Sequence, residues 1–183
     1  MSRRIVLVSG PPASGKTTVA RPLAHALGFA LLTKDDIKES LFTSLNGPAG
    51  DVEFSHRLSL AAMDLLWALA PHIPHVVLEA NFRTRDVHER ERVCDLLAAP
   101  DVRLVEVCCV LPLPEAARRF GERARLQPRH PAHALKEMSS EQLAVYEGPF
   151  ALGPVITVDT QRPVEISVLV QQVCDAFGSE PAS

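Results

Sequence analysis

Between Val8 and Thr18 the chain reads VSGPPASGKTT, and no other stretch narrows the choice of fold so far. Gly10 and Gly15 bracket four residues and are followed by Lys16 and Thr17, the G-x-x-x-x-G-K-S/T spacing of a loop that cradles phosphate. Such a loop needs a buried strand before it and a helix N-terminus after it, because its amides and the helix dipole must converge on one anion. The flanks supply both: Ile5 to Val8 predicts the strand, and Lys16 to Leu27 predicts a helix that Gly28 terminates. The predicted nucleotide-binding residues are Gly10, Pro12, Ala13, Ser14, Gly15, Lys16, Thr17 and Thr18. In this arrangement the glycines allow close backbone approach, Lys16 reaches the terminal phosphates and Thr17 ligates magnesium. The expected ligand is a nucleoside triphosphate with Mg2+.

Beyond the loop, short apolar runs alternate with longer helical patterns, the signature of a parallel sheet covered by helices. A second strand is predicted at Phe29 to Thr33, a third at His75 to Glu79, a fourth within Val102 to Leu111 and a fifth at Val155 to Val158. Helices are predicted from Asp36 to Leu45, from Val52 to Ala70, from Thr84 to Leu97 and from Val164 to Phe177. On the second of these, Leu58, Leu65, Leu66 and Leu69 form the expected buried stripe. The 183 residues suit one domain with a mobile lid over about 114–135, and the tail 178–183 is expected to fray. The four cysteines, Cys94, Cys108, Cys109 and Cys174, have neither disulfide-framework nor zinc spacing and are expected as reduced core thiols. Behind Arg3 and Arg4 the apolar run ends by Gly10, too short for a signal peptide or membrane span, so a cytoplasmic location is expected.

The acceptor of a phosphoryl group has to be sought at the carboxyl edge of the sheet, where such folds bind ligands. Asp35 and Asp36 stand where the second strand passes into a helix, and a carboxylate there can take the proton of an attacking hydroxyl. Asp35 is assigned as that base and Asp36 as the helix cap, with the reverse assignment left open. Glu79, closing the third strand, is placed near the metal, directly or through water, and Asn81 and Arg83 just beyond it are candidate acceptor contacts. Five arginines fall between Arg118 and Arg129, and Arg119 and Arg123 lie one helical turn apart. Closure of an arginine-bearing lid would bring cations to the equatorial oxygens of a transferring phosphoryl group. His130 and His133, in a proline-rich loop with no third ligand, read as surface residues.

These four places together resemble the small P-loop kinases of the group containing polynucleotide 5′-hydroxyl kinase, chloramphenicol phosphotransferase, gluconate kinase and zeta toxins. The likeness runs from Ile5 to about Asp159 and is nearest the polynucleotide kinase pattern. That pattern's x-D-D-x-R appears as Lys34-Asp35-Asp36-Ile37-Lys38, its D-x-N as Glu79-Ala80-Asn81, and its R-x-x-x-R as Arg119 and Arg123. Lys38 stands where that group uses an arginine on the substrate phosphate, a point charge in place of a bidentate fork. The resemblance implies a three-layer α/β P-loop NTPase fold with a parallel five-stranded sheet in the order 2-3-1-4-5. It also implies transfer of the ATP γ-phosphoryl to a hydroxyl, with the turn from Asp159 to Arg162 closing over the adenine. A small-molecule acceptor is favoured over a nucleic-acid 5′-hydroxyl, because a net charge of −3 and 5% aromatic residues offer little to a polynucleotide. The other rival is a regulatory P-loop ATPase, which would need neither Asp35 nor paired lid arginines. Acceptor identity, oligomeric state and the choice of ATP over GTP are not specified by the sequence.

Overall fold

Strand β1 (Arg3–Ser9) lies at the centre of the sheet, and its side chains alternate between the two apolar cores. Ile5 and Leu7 enter one core and Val6 and Val8 the other, so a run with no polar break is what a strand covered on both faces requires. The computed structural model describes residues 2–126 and 129–178. The predicted loop at Gln127 and Pro128 and the tail 179–183 lie outside the described residues.

β1 pairs in parallel with β3 (His75–Glu79) on one side and β4 (Val102–Val110) on the other. The edges are β2 (Ala30–Thr33) and β5 (Val155–Asp159), so the order is β2-β3-β1-β4-β5, as expected from the sequence. Helices α1 (Lys16–Leu27) and α7 (Ile166–Ala176) cover the Val6 and Val8 face through Val19, Leu23, Leu169 and Val173. Helices α3 (Val52–Leu69) and α4 (Val87–Leu97) cover the opposite face through Leu66, Trp67, Val93 and Leu96. The described residues also form α2 (Lys34–Ser44), α5 (Leu113–Leu126), α6 (Ser140–Ala144) and a short 3-10 turn at Ala70–His72. No helix among the described residues is long and apolar enough to cross a membrane.

One buried carboxylate links the end of β1 to β4 and to residues 150–151. Glu106, fully buried on β4, accepts from the Ser9 hydroxyl at 3.1 Å and from the amides of Phe150 and Ala151 at 2.9 and 3.2 Å. Burial pushes its carboxyl upward while these donors favour the ionised form. The bonds tie the end of β1, just before the glycine loop, to residues 150–151.

Several element boundaries and contacts differ from the sequence expectations. α2 begins at Lys34, because Thr33 is its cap: Thr33 Oγ1 accepts the Asp36 amide at 2.9 Å, and Asp36 sits in the first turn instead of capping it. α4 begins at Val87 instead of Thr84, since the Asp86 side chain accepts the amides of both His88 and Glu89. Leu65 and Leu69 are exposed at 40% and 43%, whereas Leu58 and Leu66 are buried as predicted. The neighbour that covers α3 changes along its length: Leu58 packs with Phe42 of α2, but two turns later burial belongs to Leu66, Trp67 and Ala70 against the sheet. All four cysteines are free thiols, with Cys108 and Cys109 in the core and Cys94, contrary to expectation, exposed.

Candidate active site

The phosphate loop has the backbone that its glycines permit. Gly10 adopts φ 138°, Ala13 63° and Gly15 82°, and a Cβ on Gly10 would stand 2.4 Å from the Cys109 carbonyl oxygen. Gly15 precedes the first turn of α1, whose amides have no partners within the helix and face the loop's hollow. Lys16 Nζ is buried and donates to the Pro11 carbonyl at 2.8 Å, which curls the ammonium over that hollow. Burial lowers the Lys16 ammonium from its ordinary value, and Glu79 opposes the shift. Ser14 Oγ, within the loop, is buried and has no hydrogen-bond partner among the described residues.

Beside the loop, the Thr17 hydroxyl donates to Glu79 Oε2 at 3.0 Å, bringing the end of β3 against the first turn of α1. Burial pushes the Glu79 carboxyl up, and the Lys16 charge pulls it back. A hydroxyl, a carboxylate and room for phosphate oxygens form the hard oxygen set that suits Mg2+. Among the described residues no cluster of three His, Cys, Asp or Glu side chains is arranged to hold a metal, so such an ion would depend on the phosphates for its remaining ligands.

A cleft of about 380 Å3 extends from this loop toward α2 and α3, and it contains Lys16, Thr17, Asp35, Lys38, Glu79, Asn81, Arg83 and Arg123 among its lining residues. Asp35 projects its carboxylate into the cleft. Burial would raise that carboxyl, but Lys34, His133, Lys16 and Lys38 together outweigh the effect and hold it below the ordinary aspartate range. Asp36 turns the other way and accepts from Arg21 of α1 at 2.9 Å on the outer surface. Lys38 is buried and donates to Ser55 Oγ at 2.8 Å, and Ser55 in turn donates to the Ala132 carbonyl at 2.6 Å. Burial, reinforced by Lys34, brings the Lys38 ammonium down to about 8.

The two arginines expected to act as a pair have different surroundings. Arg123 lines the cleft, while Arg119 is held by Glu115 Oε1 at 2.8 Å and donates to the Thr160 carbonyl at 3.3 Å. Thr160 follows β5, and its Cβ lies 3.5 Å from the position a Gly15 Cβ would take. Arg119 is thereby tied to the turn at 159–162, and that turn abuts the start of α1. Asp159 Oδ1 accepts the Gln161 amide at 2.9 Å and gives the turn its shape.

The sequence assigns no site role to four residues that line the cleft: Lys34, Glu89 and His133, and Arg129, which it marks only as one of five clustered arginines. Lys34 is buried beside Asp35, its Nζ 3.9 Å from Oδ1, and only the fold could separate it from the surface lysines. Arg129 lines the cleft with its guanidinium 5.1 Å from the Phe120 ring centre. His133, expected at the surface, is instead 11% exposed, lines the cleft and lies 2.8 Å from Glu39 Oε1 through Nε2. Glu89 lines the cleft and accepts the Arg83 amide at 2.9 Å, and burial pushes its carboxyl up. The arginine cluster of the sequence pointed to Arg129, but nothing in spacing alone marked Lys34, Glu89 or His133.

Comparison with known proteins adds the following. Residues 5–149 match the family described as AAA domain. The chain is similar to a candidate kinase from Chloroflexus aurantiacus j-10-fl, at 29% identity and a TM-score of 0.83, over 96% of this chain and 99% of that one. It is also similar to a gluconokinase from Sinorhizobium meliloti 1021, at 18% identity and a TM-score of 0.56, over 94% and 90% of the two chains. A shikimate kinase from Acinetobacter baumannii in complex with shikimate matches at 20% identity and a TM-score of 0.55, over 96% and 92%. These last two likenesses concern the fold alone. No curated protein matches the chain.

Proposed function

We propose, for a chain that belongs to the AAA domain family, a kinase that transfers the γ-phosphoryl group of ATP to a hydroxyl on a small molecule. The observation that carries this reading is Asp35, an ionised carboxylate opening into the same cleft as Lys16 and the phosphate loop. Within the family, the patterns at Gly10 to Thr17, Asp35 and Asp36, and Glu79 to Asn81 support grouping it with small P-loop kinases.

In this reading the loop amides and Lys16 hold the β- and γ-phosphates, and Thr17 and Glu79 hold magnesium, Glu79 directly or through water. Magnesium, when bound, supplies positive charge to the phosphoryl oxygens. Asn81, Arg83 and Lys38 border the acceptor. Its hydroxyl oxygen forms the new bond to the γ-phosphorus as the bond to the β,γ-bridging oxygen breaks, ADP leaves, and the hydroxyl proton passes to Asp35. Arg123 offsets the charge on the equatorial oxygens, and Arg119, fixed beside Thr160, contacts the nucleotide on its base side. Helix α5 and the segment at 129–135 move as the lid of a single domain. Four free thiols suit a reducing, cytoplasmic setting.

A regulatory ATPase would have no use for a carboxylate at Asp35. A screen of hydroxyl-bearing metabolites, antibiotics, nucleosides and oligonucleotides for acceptor-dependent ADP release tests the proposal. Stimulation by at least one small molecule, abolished in Asp35→Asn, is expected. Release of ADP that no acceptor alters and that survives Asp35→Asn would overturn it.

A further inference from the structure

Phosphoryl transfer accounts for the polar floor of the cleft but leaves one of its walls unexplained. Helix α3 turns Val52, Ser55, His56, Ser59, Leu60 and Met63 toward the cleft, a set spaced by threes and fours along one helical face. The same face continues through Leu66, Trp67 and Ala70 into the core beneath the sheet. The cleft face of α3 therefore interleaves apolar Val52, Leu60 and Met63 with polar Ser55, His56 and Ser59, and its apolar members continue the line of Leu66, Trp67 and Ala70 out of the core. Leu60 is 54% exposed there, and Leu135, which also lines the cleft, is 51% exposed. Met63 and Met138 line it as well, adding polarizable side chains that adapt to irregular ligands. At the side, Tyr146 carries the Arg83 guanidinium 5.9 Å from its ring centre.

We infer that the acceptor is a small amphiphilic alcohol: a reactive hydroxyl attached to an apolar body of one or two rings. Its hydroxyl reaches Asp35, and its apolar body lies against Leu60, Met63, Leu135 and Met138. This inference rests on the kinase reading and specifies its substrate class. Two physical arguments support it. An apolar body placed on Leu60, Met63, Leu135 and Met138 gains burial that a sugar or polyol, whose hydroxyls would face these apolar side chains, does not. The cleft volume of about 380 Å3 is near the lower end for small-molecule sites. The transferring phosphoryl group shares that space, which limits the acceptor to a compact body.

The test compares aryl-alkyl alcohols, such as 2-phenylethanol and 1-phenyl-1,2-ethanediol, with polyols and sugar acids, such as sorbitol and gluconate. Acceptor-dependent ADP release at saturating ATP and Mg2+ is measured for the wild type and for the double variant Leu60→Ser, Leu135→Ser. Both positions are more than half exposed, and thermal melting checks that the variant remains folded. The inference expects the aryl-alkyl alcohols to be phosphorylated with the higher kcat/KM. It also expects the double variant to raise their KM by on the order of tenfold, with kcat changed far less, as loss of uniform binding requires. Equal or better use of the polyols, or an unmoved KM in the double variant, would overturn the inference and leave the kinase reading standing. Should none of these compounds stimulate ADP release, the kinase reading is judged by the wider acceptor screen, and saturation-transfer NMR decides the pocket separately. Aryl-alkyl alcohol signal lost in the double variant would keep the amphiphile site, and no signal with the wild type would overturn it.

Discussion

The Thr17 hydroxyl donates to Glu79 Oε2 over 3.0 Å, joining the first turn of α1 to the last residue of β3. The bond places side by side the hydroxyl and the carboxylate to which the proposed function assigns magnesium. Glu79→Gln keeps an acceptor for Thr17 but removes the charge. We expect the Mg2+ concentration for half-maximal ADP release to rise on the order of tenfold while the melting temperature changes little. A magnesium titration that superimposes on the wild type would remove Glu79 from the metal site.

Asp35 and Asp36 are adjacent in sequence and opposite in direction. Asp35→Asn should lower acceptor phosphorylation by on the order of a hundredfold or more, the usual size of a general-base contribution. Asp36→Asn loses an exposed pair with Arg21, worth about 0–1 kcal/mol, and should leave initial rates within a few-fold of wild type. Equal losses in the two variants would leave the base unassigned, and a larger loss at Asp36 would reverse the assignment.

Arg119 and Arg123 should separate kinetically. Arg123→Ala is expected to depress kcat more than it weakens ATP binding, because a cation directed into the cleft contributes chiefly in the transition state. Arg119→Ala should chiefly raise the KM for ATP, since its guanidinium is engaged beside Thr160. Steady-state kinetics with ATP varied at fixed acceptor distinguish the two, and the opposite split would exchange their roles.

The Lys38 ammonium provides a pH-dependent signature. Its value falls from 10.5 to about 8 in the folded protein because burial and Lys34 disfavour the charge. Below about pH 8 both folded and unfolded chains carry the proton and the folded state bears the full penalty. Between about 8 and 10.5 the folded chain has released the proton while the unfolded chain still holds it, so the penalty is relieved as pH rises. Wild-type stability relative to Lys38→Met, followed by urea denaturation, should therefore increase from pH 8 to 10.5. A flat or falling difference would contradict the depressed value.

Gly10→Ala is expected to abolish nucleotide binding and to cost about 1–3 kcal/mol of stability. Its Cβ would meet the Cys109 carbonyl oxygen, which is backbone on β4 and cannot swing aside. Calorimetric titration with ATP and a thermal melt measure the two effects. Retained binding at wild-type affinity would show that the loop tolerates a shift.

Much of the framework was readable from local pattern. A phosphate loop between an uninterrupted apolar strand and a helix dictates a parallel sheet, since only a strand buried on both faces has no polar alternation. The order β2-β3-β1-β4-β5 followed from resemblance and is what the paired registers form. Helix starts were less legible. At Thr33 and Asp86 the cap is decided by which side-chain oxygen the first-turn amides reach, and several neighbouring residues have the same chemistry.

What the sequence determined by itself, then, is where the glycine loop lies and which strand ends surround it, because backbone geometry in the loop depends on residues close in the chain. The tertiary structure alone decided which charges face one another. Lys34, Arg129, His133 and Glu89 come to the cleft from α2, the segment beyond α5 and α4, and no spacing encodes that meeting. It also decided the fate of the leucines on α3. A helix displays the same periodicity whether a face meets α2, the sheet, solvent or a ligand, and only the neighbours folded against it distinguish Leu58 and Leu66 in the core from Leu65 in solvent and Leu60 in the cleft.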